Sequence, residues 1–362
     1  MKKMIAVFKS GSGKGKAFTE VRETAVPEPR EGEALVKVTA TSICGTDRHI
    51  YNWDPSMAKA VKPPRIYGHE FCGHIAAFGP HTNPRGLAEG DYISAEMHVV
   101  CGACYQCKTG RGHICANTVI LGVHDDGCFA EYVRIPVSNL IKLDASLPPA
   151  IGSFLDALGN AVHTLQPVQV AGQDVLILGY GPIGAMCASL CEFLGARTII
   201  ITEISPKGIA SAQAWAAAKD LSHKTHIIDV KGHSVPEQAE AIRAVCPDGV
   251  DTVLEISGAE EAINAAARAV KRGGEFSLLG IPGKDTITFQ DYTHDLIFKG
   301  VTMHAIAGRR MYSTWFAMLS YLKGGLDVSH IPNAVFPGLS HFHEGMERFE
   351  THNALKVVFS LE

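Results

Sequence analysis

The run Asp174-Val175-Leu176-Ile177-Leu178 leads directly into Gly179-Tyr180-Gly181-Pro182-Ile183-Gly184. No other feature restricts the fold as much. A short continuous apolar run marks a strand buried on both faces, which is the situation of a parallel sheet covered by helices. The glycines allow a tight turn and close backbone approach to a pyrophosphate. Pro182 suits a first helical turn, where its missing N–H costs nothing. A helical stretch follows over 183–194 and is stopped by Gly195. Its N-terminus offers free N–H groups and the positive dipole end to an anion. With 36 glycines in the chain, a GxGxxG alone would be a glycine turn in any α/β sheet. Strand, loop and helix in this order predict a dinucleotide site.

A second apolar run, 198–202, ends at Glu203. A carboxylate there binds a ribose 2′-hydroxyl and repels a 2′-phosphate, which favours NAD over NADP. Further runs at 250–256 and 275–279 alternate with Ala-rich helical stretches such as 259–270. That alternation predicts an α/β fold with a doubly wound parallel sheet. Before about residue 156 the texture is different. Short β-branched runs such as 34–38 and 132–135 are broken by Gly and Pro, which predicts irregular β structure with long loops. Near the end, 312–324 reads as a helix, and 355–360 as a strand returning to the first domain.

Length and charge narrow the classes further. A chain of 362 residues predicts two domains. A net charge of -4 without a basic stripe argues against nucleic acid and anionic membrane surfaces. The apolar stretch 4–8 is broken by Lys9 and is too short for a signal peptide or a membrane span, so the expected compartment is the cytoplasm.

Ten cysteines in such a chain predict metal ligands or buried thiols rather than disulfides. Cys101, Cys104, Cys107 and Cys115 can fill a tetrahedral Zn²⁺ shell, leaving no open position and giving a structural site. Cys44 with His69 and Glu70 is a mixed set that leaves room for a substrate oxygen. Thr46 and His49 follow Cys44 closely and offer a hydroxyl and an imidazole as a proton relay. Cys187 and Cys191 are four apart and predict one buried helix face.

Four stretches carry a resemblance to a known family: 41–54 around Cys44 and Trp53, 127–132, 158–164 (Leu158-Gly159-Asn160-Ala161-Val162-His163-Thr164), and 308–315 ending in Trp315. The chain resembles the zinc-containing medium-chain alcohol dehydrogenases over essentially its whole length. The segments through Trp53, Asn160–Thr164 and Trp315 are similar to the branch that oxidises L-threonine. The resemblance implies a β-rich GroES-like catalytic domain at 1–157 with both zinc sites, a Rossmann NAD-binding domain at 158–299, and a return to the catalytic domain at 300–362. It implies a homotetramer with two Zn²⁺ per chain. It places Cys44, His69 and Glu70 at the catalytic zinc, Thr46 and His49 in the relay, and Cys101, Cys104, Cys107 and Cys115 at the structural zinc. Asp156 matches a carboxylate near the catalytic zinc, and His98 a histidine of the substrate pocket. Ile183, Glu203, Leu279, Gly280, Ile281, Ile306 and Ala307 match cofactor contacts, beside the loop residues Gly179, Gly181, Pro182 and Gly184. The implied reaction is NAD⁺-dependent oxidation of a secondary alcohol, L-threonine to 2-amino-3-oxobutyrate. The alternatives are a polyol, diol or other small hydroxy substrate, or a non-catalytic NAD-binding protein. The chain departs from the family at Ala157, where proline is usual, at Gly208 in place of arginine, and at Arg310 in place of an acid.

Overall fold

The computed structural model describes residues 2–284 and 286–362. The chain divides into two compact units. One comprises residues 1–157, 310–315 and 332–362, and the other 158–309 and 316–331.

The first unit is β-rich. Its larger sheet is antiparallel through most of its width. The strand Glu33–Ser42 pairs on one edge with Phe71–Phe78 and on the other with the C-terminal strand Val357–Ser360. Tyr92–Ala95 and Leu140–Lys142 extend the first edge, and Ala334–Pro337 extends the second. Alternate residues of Glu33–Ser42 point inward, so Ala34, Val36 and Val38 meet Ile75, Ile93 and Val133 in one core. A second core is aromatic. Tyr67, Phe129, Phe342 and Phe359 pack edge-on or tilted with centroids 5.2–6.4 Å apart. This core fills the region under the helix Gly45–Tyr51 and fixes the loop that carries Gly68 and His69.

The second unit is a six-stranded parallel sheet. From one edge its strands are Thr225–Asp229, Thr198–Glu203, Asp174–Leu178, Val250–Glu255, Val270–Leu278 and Thr302–Ala305. Numbered along the chain this order is 3-2-1-4-5-6, the doubly wound order with its switch point beside the first strand. Asp174–Leu178 is buried along its whole length, as its unbroken apolar run predicts. The helix Pro182–Phe193 covers it and buries Cys187 and Cys191, whose thiols burial pushes upward in pKa. All ten cysteines are free thiols.

The expected boundary at residue 299 differs from the structural division. Residues 300–309 remain with the second unit because Thr302–Ala305 pairs with Val270–Leu278 as the sheet's edge strand. Most of the helix Ser313–Lys323 belongs there too, and the return to the first unit is completed from residue 332. A four-residue edge strand with no buried residue lacks the continuous apolar run that identifies the central strands.

Candidate active site and metal centres

At the end of Glu33–Ser42 the chain turns into the helix Gly45–Tyr51, with Cys44 as N-cap. Asp47 sits at the third helical position and accepts the Cys44 backbone N–H at 2.8 Å. The same carboxylate is fully buried and stands 3.4 Å from Nδ1 of His69. His69 and Glu70 enter from the turn before Phe71–Phe78, where Gly68 adopts a φ of 92°. A Cβ on Gly68 would stand 2.5 Å from the Phe129 ring, so only glycine admits this turn against the aromatic core.

Sulfur, imidazole nitrogen and carboxylate oxygen of Cys44, His69 and Glu70 lie within 4.8 Å of one another. Burial alone lowers the pKa of His69, but Asp47 and Cys44 more than reverse this and raise it well above its ordinary value. The spot therefore favours positive charge. A divalent cation on these donors meets that demand with a ligand set suited to zinc. The Asp47–His69 contact has the form of the carboxylate–histidine support that would orient an imidazole on a metal. Glu70 is further held by Lys356, with Nζ 2.5 Å from Oε2, and by the Ser42 hydroxyl. Lys356 is itself buried. Burial lowers its pKa, and Glu70 followed by Cys44 raises it again.

Thr46 and His49 lie one turn apart on the Gly45–Tyr51 helix, three positions in sequence and so on one face. The Thr46 hydroxyl is 4.0 Å from the Cys44 sulfur, and His49 Nδ1 is 2.5 Å from Asp54. His49 is 44% exposed, which leaves it open to solvent. His98 and Asp156 come together with a third group, Glu96, all within 4.8 Å. Asp156 lies in the helix Leu155–Leu165, three residues after Ser153, whose carbonyl accepts the Ser42 hydroxyl.

The cysteine lobe is a separate centre. Neighbouring sulfurs are 3.5 Å (Cys104–Cys107), 3.7 Å (Cys104–Cys115) and 3.5 Å (Cys115–Cys101) apart. Four sulfurs at 2.3 Å from a tetrahedral ion would be about 3.8 Å apart, so the lobe is already close to that shape. Backbone amides of Ala103 and Cys104 hold the Cys101 thiol down to about 6. Burial, then the thiols of Cys104 and Cys115, push Cys107 up to about 12. Backbone amides of Cys107 and Ala116 lower the Cys104 thiol as well.

In the second unit, the expected cofactor residues gather at the carboxyl end of the sheet. Gly179 follows the first strand with a φ of 95°. A Cβ on Gly184 would stand 2.2 Å from the Gly179 carbonyl, while one on Gly181 meets nothing within 4 Å. The third glycine thus lets helix and strand close together, and the second leaves the backbone approachable. Pro182 opens the helix, followed by Ile183. Glu203 accepts Tyr180 N–H at 2.6 Å with one oxygen and Ile204 and Ser205 N–H at 2.8 Å with the other. It therefore fastens the glycine loop to the end of the second strand. A Cβ on Gly208 would press on the Glu203 side chain at 2.9 Å, a packing reason for glycine there. Leu279 and Gly280 donate to the Glu255 carbonyl, and Ile306 to the Leu278 carbonyl. Ile281 and Ala307 follow them at the ends of the same strands, with Ile281 exposed. The basic pair splits. Arg309 is buried with Nη1 3.4 Å from Asn160 Oδ1, and Arg310 is exposed.

Asp47, Glu96 and Lys356 are site residues that sequence reasoning left out. Asp47 had a signal, since it sits three residues after a metal-type cysteine at a helix start. Glu96 and Lys356 had none.

The comparisons with known proteins agree with this geometry. Residues 30–145 match the alcohol dehydrogenase GroES-like domain, and 182–324 match the zinc-binding dehydrogenase domain. The L-threonine 3-dehydrogenase of Pyrococcus horikoshii is 38% identical over 99% of both chains. That of Klebsiella pneumoniae is 37% identical over 96% of this chain and 98% of its own. Among solved structures, the alcohol dehydrogenase TADH of Thermus sp. ATN1 superposes with a TM-score of 0.82 at 27% identity, over 99% of each chain. By domain content, full-length identity and fold, the chain belongs to the zinc-dependent alcohol dehydrogenases.

Proposed function

We propose that the protein oxidises L-threonine at its β-carbon to 2-amino-3-oxobutyrate, using NAD⁺. The observation that carries this reading is full-length identity of 38% to a relative named L-threonine 3-dehydrogenase, with the Cys44, His69 and Glu70 cluster intact. Cys44, His69 and Glu70 would hold the catalytic zinc, and Cys101, Cys104, Cys107 and Cys115 the structural one. The catalytic zinc supplies a Lewis acid that lowers the pKa of an alcohol. NAD⁺ supplies the hydride acceptor.

The chain's own groups do the rest. Asp47 keeps the His69 ring oriented, and Lys356 with Ser42 holds the Glu70 carboxylate in place. Thr46 accepts the proton leaving the alcohol, and His49, steered by Asp54, delivers it to solvent. Asp156 and His98 line the substrate side. The Gly179–Gly184 loop and the helix N-terminus receive the pyrophosphate, and Glu203 selects the unphosphorylated ribose. No helix among the described residues is long and apolar enough to cross a membrane. A homotetramer in the cytoplasm is the proposed working form.

Rates of NADH formation by zinc-loaded protein test the reading, over a panel of L-threonine, L-serine, 2,3-butanediol, sorbitol and small hydroxy acids. The expected result is the highest kcat/KM for L-threonine. A higher value for a polyol or diol would overturn the substrate and leave the reaction class.

A further inference from the structure

Trp53 belongs to a segment that the sequence singles out, yet the reaction above makes no use of it. It stands just past the helix Gly45–Tyr51, in a turn with a φ of 55°. A bulky side chain seldom adopts that left-handed backbone, and keeps it only where its surroundings hold it there. The turn doubles the chain back on the helix. The Asp54 N–H bonds the His49 carbonyl at 3.0 Å, and the Asp54 carboxylate meets His49 Nδ1 at 2.5 Å. The backbone at Trp53 thus places the group that steers the proposed relay.

A lysine grips this turn. Lys9 ends the strand Lys3–Lys9 and is bracketed there by Thr19 on one side and Arg65 on the other. Its side chain is fully buried. The ammonium donates to the Tyr51 carbonyl at 3.0 Å and to the Gly13 carbonyl at 2.5 Å, and it lies 5.3 Å from the centre of the Trp53 ring. The Gly15 N–H reaches the same Tyr51 carbonyl at 2.8 Å. Gly13 fits only because it has no side chain, since a Cβ there would stand 2.3 Å from the Phe18 ring. The last carbonyls of a helix carry negative partial charge, and so does the face of an indole. A cation between them is attracted by both.

Lysine is almost never fully buried without an ionic partner. Among the described residues no carboxylate pairs with Lys9. Its contacts are all neutral, and burial lowers its pKa to about 8. Methionine would fill the same space without burying a charge. Stability alone favours the apolar residue, so the use of the cation lies in the geometry it imposes on the end of the helix.

We propose that Lys9 is a positioning residue for proton release: by gripping the Tyr51 carbonyl and the Trp53 ring, it fixes the turn that sets Asp54 against His49. This rests on the relay reading of Thr46 and His49, and it holds for whichever alcohol is oxidised.

The test is a double-mutant cycle on full-length, zinc-loaded protein, with Lys9→Met and His49→Ala made singly and together. NADH formation is followed with the alcohol of the panel above that gives the highest kcat/KM. Lys9→Met removes the donors and keeps an unbranched stem. It is expected to lower kcat at least about fivefold with KM within about twofold, and to change kcat less than about twofold once His49 is alanine. Zinc content and NADH binding by fluorescence, unchanged in Lys9→Met, separate positioning from misfolding. Should Lys9→Met not fold, Lys9→Gln is read by the same cycle. If His49→Ala lowers kcat and Lys9→Met acts just as strongly on top of it, or has no effect by itself, this inference alone is overturned. If His49→Ala leaves kcat at the wild-type level, the relay reading and this one fall together.

Discussion

Asp47 does two jobs with one carboxylate. It closes the start of the Gly45–Tyr51 helix through the Cys44 N–H, and it faces His69 from 3.4 Å. Asp47→Asn keeps the shape of the cap while removing the charge that supports the imidazole. The expected outcome is a loss of about 10- to 100-fold in zinc affinity or in kcat, read by chelator competition and by turnover. An unchanged zinc affinity and kcat would reduce Asp47 to a cap. Cys44, His69 and Glu70 are legible in the sequence because few residue types serve zinc and these stand near one another. Lys356 is not legible, because a lysine near a chain's end is ordinarily solvated. Only folding brings it 2.5 Å from Glu70. The same holds for Glu96, whose partner Trp315 lies 219 residues away.

The glycine loop and the cysteine lobe are self-contained elements, and both are readable for that reason. Their determinants are contiguous, and backbone geometry at Gly179 and Gly184 follows from local sterics. The second role of Glu203 was hidden, because its hold on Tyr180 N–H depends on how two strands align. Glu203→Ala removes an acceptor for three backbone N–H groups together with the charge proposed to select the ribose. NAD⁺ affinity is expected to fall at least about tenfold, with NADP⁺ falling less, in paired fluorescence titrations. Equal losses for the two cofactors would assign Glu203 to loop stability alone. For the lobe, Cys104→Ala is expected to release one zinc per chain and lower the thermal midpoint. A variant with two zincs and an unchanged midpoint would contradict the structural-site assignment.

Across the whole molecule, electrostatics ties separate strands of the parallel sheet at the end away from the cofactor. Asp174 pairs with Arg197 and Lys271, and Asp251 shares both partners. Hydrogen bonding to Arg197, against burial, holds the Asp174 carboxyl well below the usual range. A carboxyl depressed in the folded state stabilises it above the unfolded value near ~3.9, and the benefit is lost as pH falls through the lower folded value. The difference in thermal midpoint between wild type and Asp174→Asn is therefore expected to be full at pH 7 and to shrink below about pH 4. A difference independent of pH would point to packing instead. At this scale the α/β class and the parallel sheet were readable from runs of apolar residues. The interleaved division into units was not, since edge strands and returning segments carry weak periodicity.

That interleaving orders events during synthesis. The parallel sheet is complete once Thr302–Ala305 has left the ribosome. The antiparallel sheet waits for Val357–Ser360, which forms its bond ladder to Glu33–Ser42 and follows the other strands of the described residues in the chain. Lys356 arrives with it. Glu70 thus has no cation from this lysine until residue 356 has emerged, about 290 residues after its own synthesis.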